Sequence, residues 1–173
     1  MSVETVLFAV LGGLAVASAV TVIAARNPVA SALFLLVHLA ALAGLFVLLD
    51  AAFVAVLQVI VYIGAILVLF LFVIMLLNLG HRYRPDLRPP RARWLAAALG
   101  LGLAVEIVLA SRRLPGILGP GPEAVEAVVR TRGAVAAVGE LLFSAYVVPF
   151  ELTGVLLLVA MVGALWLAKR RPE

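Results

Sequence analysis

Five side chains that could take part in proton transfer or polar binding lie inside otherwise apolar segments of this chain. They are His38, Gln58, Tyr62, Glu106 and Glu151. Such groups are costly inside a membrane unless they are paired or neutral, so each is a candidate for a proton path or a polar contact. The chain has no cysteine and only two histidines. The absence of cysteine excludes disulfides, iron–sulfur clusters and thiolate metal sites. We predict no metal site and no cofactor in this chain.

Glu106 and His38 each have a simpler interpretation beside the functional one. Glu106 lies about twelve residues after Trp94, and it either serves function or pairs with Arg112 or a neighbouring subunit. His38 is either a neutral imidazole hydrogen-bonded to a facing helix, or a proton relay or quinone contact. Glu106 is the only charged residue expected deep in a membrane span. Because proton pumping needs several ionisable groups in a chain, this polypeptide alone cannot hold a pumping half-channel.

Glu151 follows Pro149 and Phe150 at the start of the last apolar run. An acid near the positive end of a helix dipole is stabilised there. Alternatively, Glu151 pairs with a neighbour or lines a water path.

Gln58, Tyr62 and Gly64 lie near the centre of the longest apolar run. Gln58 and Tyr62 are four residues apart and are expected to share a helix face, which Ala65 and Leu69 continue. Glycine costs about 1 kcal/mol of helix propensity relative to alanine. Gly64 therefore either admits a closely packed helix or marks a π-bulge, an irregularity frequent at functional sites. The residues alone favour close packing.

Composition places the chain in the membrane. Hydrophobic residues make up 66% of the 173 residues and charged residues only 13%, whereas soluble domains carry about 25% charged residues. We predict an all-α integral membrane protein, a single domain over 1–173, with five transmembrane helices. A span needs roughly 20 apolar residues. The predicted spans are about Val3–Ala25, Val29–Leu49, Ala51–Leu79, Trp94–Ser111 and Tyr146–Ala168.

The breaks between spans have local causes. Asn27 and Pro28 end one helix and begin the next, because proline is tolerated at the first helical position. Asp50 marks a very short connection. Residues 81–93 hold three prolines among five arginines and are not expected to be helical throughout. The sizeable loop is 112–145, which starts with a loop, LPGILGPGP, and contains a short surface helix over 123–132.

Charge predicts the orientation. With five spans, one side holds nine basic residues: Arg26, Arg82, Arg84, Arg88, Arg91, Arg93, Lys169, Arg170 and Arg171. The other side holds four: Arg112, Arg113, Arg130 and Arg132. The positive-inside rule puts the nine in the cytoplasm, so the amino terminus is outside and the carboxyl terminus inside. Loop 112–145 is then periplasmic, and the net charge of +4 needs no nucleic-acid partner.

Two stretches carry a family resemblance. VLQVIVYIGAILVLFLFVIMLLN (56–78) resembles the third helix of the J chain of bacterial proton-translocating NADH:quinone oxidoreductase, the counterpart of mitochondrial NADH dehydrogenase subunit 6. GELLFSAYVVPFELTGVLLLVAMVGALWLAKRR (139–171) resembles the ending of the same family. The resemblance covers most of the chain, with 82–93 and 114–138 as the variable parts.

The resemblance implies a five-helix membrane-arm subunit of respiratory complex I, without catalytic activity as an isolated chain. FMN, iron–sulfur clusters and quinone would lie elsewhere in that complex. The implied partners are other membrane-arm subunits, notably the small K-type chain and an antiporter-like subunit, in the bacterial inner membrane. The family's third helix carries a π-bulge thought to couple quinone reduction to proton translocation, which maps onto Val61, Tyr62, Gly64 and Ala65.

Two other classes remain open at this point. One is a subunit of a related multisubunit cation/proton antiporter, which would share the third helix. The other is a purely structural helix bundle that holds flanking subunits in register. A structural role predicts that Tyr62 and Gly64 tolerate conservative change, and a coupling role predicts that they do not.

Overall fold

The computed structural model describes residues 2–77, 90–113 and 122–169, with side chains for 2–77, 94–110 and 127–169. This described part of the chain forms seven helices. They are α1 (Val3–Ala24), α2 (Pro28–Leu48), α3 (Ala52–Leu76), α4 (Pro90–Arg113), α5 (Pro122–Arg132), α6 (Ala134–Phe143) and α7 (Val147–Ala168).

Helices α1, α2, α3 and α7 are each long and apolar enough to cross a bilayer. Their bounds agree with the first, second, third and fifth predicted spans to within a few residues. The apolar part of α4, Trp94–Ala110, is shorter than these four. The all-helical membrane class is therefore supported by four spans, and the fifth span and the orientation stay predictions.

The described chain divides into two compact units, Met1–Pro115 and Gly116–Glu173. In the first unit, α2 packs against α1 and against α3, so α2 is the central helix of the three. In the second unit, α5 contacts α6, and α6 contacts α7.

Small residues let α1 and α2 approach closely. Ala15 and Ser18 of α1 and Ala41 of α2 are all buried. A Cβ atom added at Gly44 would lie 3.0 Å from Cδ1 of Leu11, so a side chain larger than methyl would need space that Leu11 occupies. Small side chains at helix contacts are the usual means of packing helices in lipid, where van der Waals contact drives association.

Short connections join the first three helices, and the one before α2 carries a side-chain cap. Oδ1 of Asn27 accepts hydrogen bonds from the backbone N–H groups of Val29 (2.9 Å) and Ala30 (3.4 Å) and so caps α2, with Pro28 in the first turn. The turn into α3 places Asp50 at φ 57°, a left-handed conformation that aspartate tolerates better than most residues.

The second unit begins with the predicted surface helix. The structure confirms a helix over Pro122–Arg132, as expected for 123–132. The structure also contains α6, a second helix within 112–145 that the sequence does not predict. Gly133 joins the two at φ 80°, and Arg132 forms an ion pair with Glu140 across the junction. The expected irregular stretches at 81–89 and 114–121 lie outside the described residues.

Candidate functional site

The third helix changes its hydrogen-bonding pattern in the middle of the membrane span. It is α-helical over Ala52–Leu57, π-helical over Gln58–Leu67 and α-helical again over Val68–Leu76. In a π-helix each N–H bonds to the carbonyl five residues earlier. Such segments are rare in proteins overall, and those that occur are often at functional sites. All four residues named for coupling, Val61, Tyr62, Gly64 and Ala65, lie inside this segment.

Burial along α3 shows where the extra residue is accommodated. Ala55, Gln58, Leu67 and Ile74 are buried, and Ile63 is half-buried between exposed neighbours. An α-helix repeats a face every three or four residues, but here Gln58 and Ile63 are five apart. The π segment contacts α2, and at its carboxyl end Leu67 packs in a cluster with the buried residues Ala32 of α2 and Ile74.

Gln58, Tyr62, Ala65 and Leu69, which are predicted to share a helix face, differ in exposure. Gln58 is only 9% exposed, whereas Tyr62 is 52% and Leu69 66% exposed. The expectation assumed the spacing of an α-helix. The side chains that follow Gln58 in burial are Ile63, which is half-buried, and Leu67, which is buried, whereas Tyr62 is exposed.

Gly64 and Ala65 are exposed on the π segment. A Cβ atom added at Gly64 would lie 3.4 Å from the carbonyl oxygen of Val59, which is ordinary van der Waals contact. One methyl group therefore fits at this position within the chain, but a branched side chain would add atoms beside the same carbonyl.

His38 forms a hydrogen bond to a facing helix, as expected if it is a neutral imidazole with a structural role. Its Nδ1 lies 2.9 Å from the carbonyl oxygen of Ala15 on α1. Because a carbonyl only accepts, Nδ1 carries the proton and donates. The buried hydroxyl of Ser18 also donates to Ala15 (3.0 Å) and to Leu14 (2.6 Å). This geometry makes His38 a polar link between α1 and α2.

Glu106 and Glu151 lie on helices whose described side chains are almost all exposed. Glu106 is seven residues before the end of α4, about 10 Å along its axis. Within the described residues of the first unit, α4 packs against none of α1, α2 and α3. Glu151 is four residues beyond the start of α7, in its second turn, so the expected helix-end stabilisation is not available to it.

The structure therefore brings the predicted residues together in part. Gln58, Tyr62, Gly64 and Ala65 form one segment, and His38 lies on α2, against which that segment is held. Glu106 and Glu151 are on other helices. Sequence reasoning missed Ile63 and Leu67, which contribute to the α2 contact of the π segment. The run 53–77 is apolar throughout, apart from Gln58, Tyr62 and Gly64, so no hydrophobic periodicity could distinguish them.

Comparison with known proteins gives one consistent family. Residues 18–167 match the family described as NADH-ubiquinone/plastoquinone oxidoreductase chain 6. The chain is 38% identical over 165 residues to NADH-quinone oxidoreductase subunit J of Pseudomonas aeruginosa, covering 91% of this chain and 92% of that relative. It is 37% identical over 169 residues to NAD(P)H-quinone oxidoreductase chain 6 of Leptolyngbya boryana, covering 97% and 81%.

Subunit J of Escherichia coli is 36% identical over 158 residues, covering 91% of this chain and 82% of that relative. These matches span the variable parts as well as the third and last helices, and they confirm the resemblance drawn from those two stretches. The chain belongs to the family of NADH-ubiquinone/plastoquinone oxidoreductase chain 6, also named NADH-quinone oxidoreductase subunit J.

Proposed function

We propose that this chain is a non-redox membrane-arm subunit of a proton-translocating NADH:quinone oxidoreductase, and that its third helix couples quinone reduction to proton translocation. The observation that carries the proposal is a π segment at the centre of a membrane-length helix in a chain of this family. The exposed surfaces of α4 and α7 support a role inside a larger assembly, since helices rich in small residues need close partners.

The π segment gives the third helix two arrangements that differ by one residue. One residue of an α-helix corresponds to about 100° of rotation and 1.5 Å of rise. If Gln58 keeps its place and the segment becomes α-helical, Tyr62 takes the position along α2 that Ile63 now holds. The residues after Tyr62 rotate about the helix axis by a similar angle. Ala65 or Ile66 then takes the position against α2 that Leu67 now holds. A change on one side of the membrane span is thereby transmitted to the other.

Two such states must differ by only a few kcal/mol if turnover is to interconvert them. Glycine at position 64 lowers the cost of an irregular turn, because it has no Cβ and adopts more backbone conformations than other residues. Gln58 and Leu67 remain the points where the segment is held against α2. These features support a switching helix rather than a passive one.

The proposed setting is the bacterial inner membrane, with a small K-type chain and an antiporter-like subunit as neighbours. His38 and Glu106 are proposed as polar contacts, with Glu151 as a contact near one membrane surface. The carboxylates that carry most of the translocated protons are proposed to lie on the partner subunits.

The experiment for this function is deletion of the chain in its host and restoration from a plasmid. Membranes lacking the chain should lose quinone reduction coupled to proton translocation, and the wild-type chain should restore both. Purification of the restored assembly should recover subunits that carry FMN and iron–sulfur clusters. Unchanged NADH:quinone reduction without the chain, or recovery only of antiporter subunits, would reject the proposal.

Orientation is tested by reporters fused to the assembled subunit. A reporter after Arg171 should be cytoplasmic, and one placed within 116–123 should be periplasmic, because nine basic residues on one side oppose four on the other. Alkaline phosphatase and green fluorescent protein fusions measure the two sides. The opposite pattern would contradict the five-span arrangement.

Glu106→Gln should lower proton translocation only modestly. The substitution keeps the hydrogen-bonding capacity of the side chain and removes its charge, and the main proton-carrying groups are expected on partner subunits. Proton uptake by inverted vesicles, normalised to assembled complex, measures the effect. Complete loss of pumping in a normally assembled complex would assign Glu106 to the proton path itself.

A further inference from the structure

Helix α6 carries an apolar surface that its own unit does not cover. Glu140 is its only charged residue, and that carboxylate is paired with Arg132 of α5. Val135, Leu141 and Phe143 are 66%, 52% and 70% exposed. At about 100° per residue, Val135, Leu141 and Phe143 fall within an arc of about 200° around α6 that excludes Glu140. A wide exposed apolar arc on so short a helix indicates a surface that contacts something other than water.

The chain itself holds α6 close to a membrane boundary. Three residues, 144–146, separate the end of α6 from the start of α7. Helix α7 is long and apolar enough to cross a bilayer. Phe143 and Val147 are four steps apart along the chain, so the carboxyl end of α6 lies within about 14 Å of the start of this membrane-length helix.

The corner between the two helices is fixed by specific contacts. The Tyr146 N–H donates to the carbonyl oxygen of Leu141 at 2.9 Å, and Oγ of Ser144 donates to that of Glu140 at 2.6 Å. The rings of Phe143 and Phe150 meet edge to face, with centroids 5.1 Å apart. The ring contact joins α6 to α7, and the two hydrogen bonds hold the connecting residues against the end of α6.

We propose that α6 is an interfacial helix that binds the headgroup–hydrocarbon boundary of the bilayer, with Val135, Leu141 and Phe143 in contact with acyl chains. The occupant is lipid because α6 continues directly into a membrane span, and its one charge is already paired. Tyr146, which is 56% exposed at the corner, belongs to a residue type enriched at this depth. The inference rests on the membrane location of α7, not on the coupling role of α3.

Spin labelling of the assembled complex in lipid nanodiscs tests this assignment. The chain has no cysteine, so Val135→Cys or Leu141→Cys adds one nitroxide to it, and the labelled unsubstituted complex supplies the background from other subunits. Thr131→Cys, at an exposed position on α5, is the matched control. Collision with lipid-soluble oxygen is compared with collision with a water-soluble nickel chelate.

Labels at 135 and 141 should collide more with oxygen than with the chelate, and the label at 131 should show the reverse. Access of the chelate to 135 and 141 equal to that at 131 would place α6 in water and overturn the proposal. Low access of both reagents at 135 and 141 would mean that a protein subunit covers α6, which also overturns it. NADH:quinone reduction is measured on the same samples, so a failure of the proposed function is detected separately.

Discussion

The complex carrying Gly64→Val is expected to assemble and to reduce quinone slowly, or with several-fold fewer protons translocated per quinone. Valine places two γ-carbons beside the carbonyl oxygen of Val59, which already lies 3.4 Å from a Cβ at this position. Branching at Cβ also restricts the side chain to few rotamers in a helix. The substitution therefore biases α3 toward one state, and a bias of about 1.4 kcal/mol changes the ratio of two states tenfold.

Gly64→Ala is the matched control, because one methyl group makes only ordinary contact. Replacing glycine raises the α-helix propensity more with alanine than with valine. If helix propensity caused the defect, the alanine variant would therefore be the worse of the two. If the size of the side chain beside the Val59 carbonyl caused the defect, the valine variant would be the worse, which is the result we expect. Tyr62→Phe keeps the ring and should give a milder defect.

Quinone reductase rate and proton uptake in vesicles, both normalised to assembled complex, distinguish these outcomes. Normal turnover and pumping in Gly64→Val would leave only a packing role for this glycine.

Gly44→Leu is expected to reduce the amount of assembled complex. A Cβ atom at this position already meets Leu11 at 3.0 Å, and the remaining carbons of leucine would need the space that Leu11 occupies. Overpacking of this kind costs about 1–3 kcal/mol. Complex yield and the temperature of thermal dissociation measure the loss.

Leu11→Ala in the same chain should restore much of the yield, because it vacates the space that the new side chain needs. Gly44→Ala alone should be mild, since the flexible end of Leu11 can shift. If Leu11→Ala and Gly44→Leu are simply additive, the two residues do not meet and the α1–α2 packing described above is incorrect.

The helices were predictable where the sequence contains breaks. Asn27, Pro28 and Asp50 separate long apolar runs, and proline or glycine marks most other ends. Helix α6 was not predicted, because a short apolar run inside a polar loop lacks the length that identifies a span. Its ends depend on Gly133 at positive φ and on the corner with α7, which are tertiary features.

The candidate site was predictable as a segment and not as a set of contacts. Tyr62 and Gly64 can be identified from the sequence because they interrupt an apolar run. The expectation that Gln58 and Tyr62 share a face rests on α-helical spacing, whereas the structure has a π segment there and the two side chains differ in exposure. The partner of His38 is a backbone carbonyl, and every residue has one, so no residue type in the sequence could have identified Ala15.

The most direct test of the account is the conformation of the third helix in the assembled complex, resolved by electron cryomicroscopy both at rest and during turnover. We expect two populations of the third helix. In one, Gln58–Leu67 is π-helical with Ile63 and Leu67 against α2; in the other, the helix is continuously α-helical and Tyr62 has turned toward α2. The same π-helical segment in every particle class, at rest and during turnover, would contradict it.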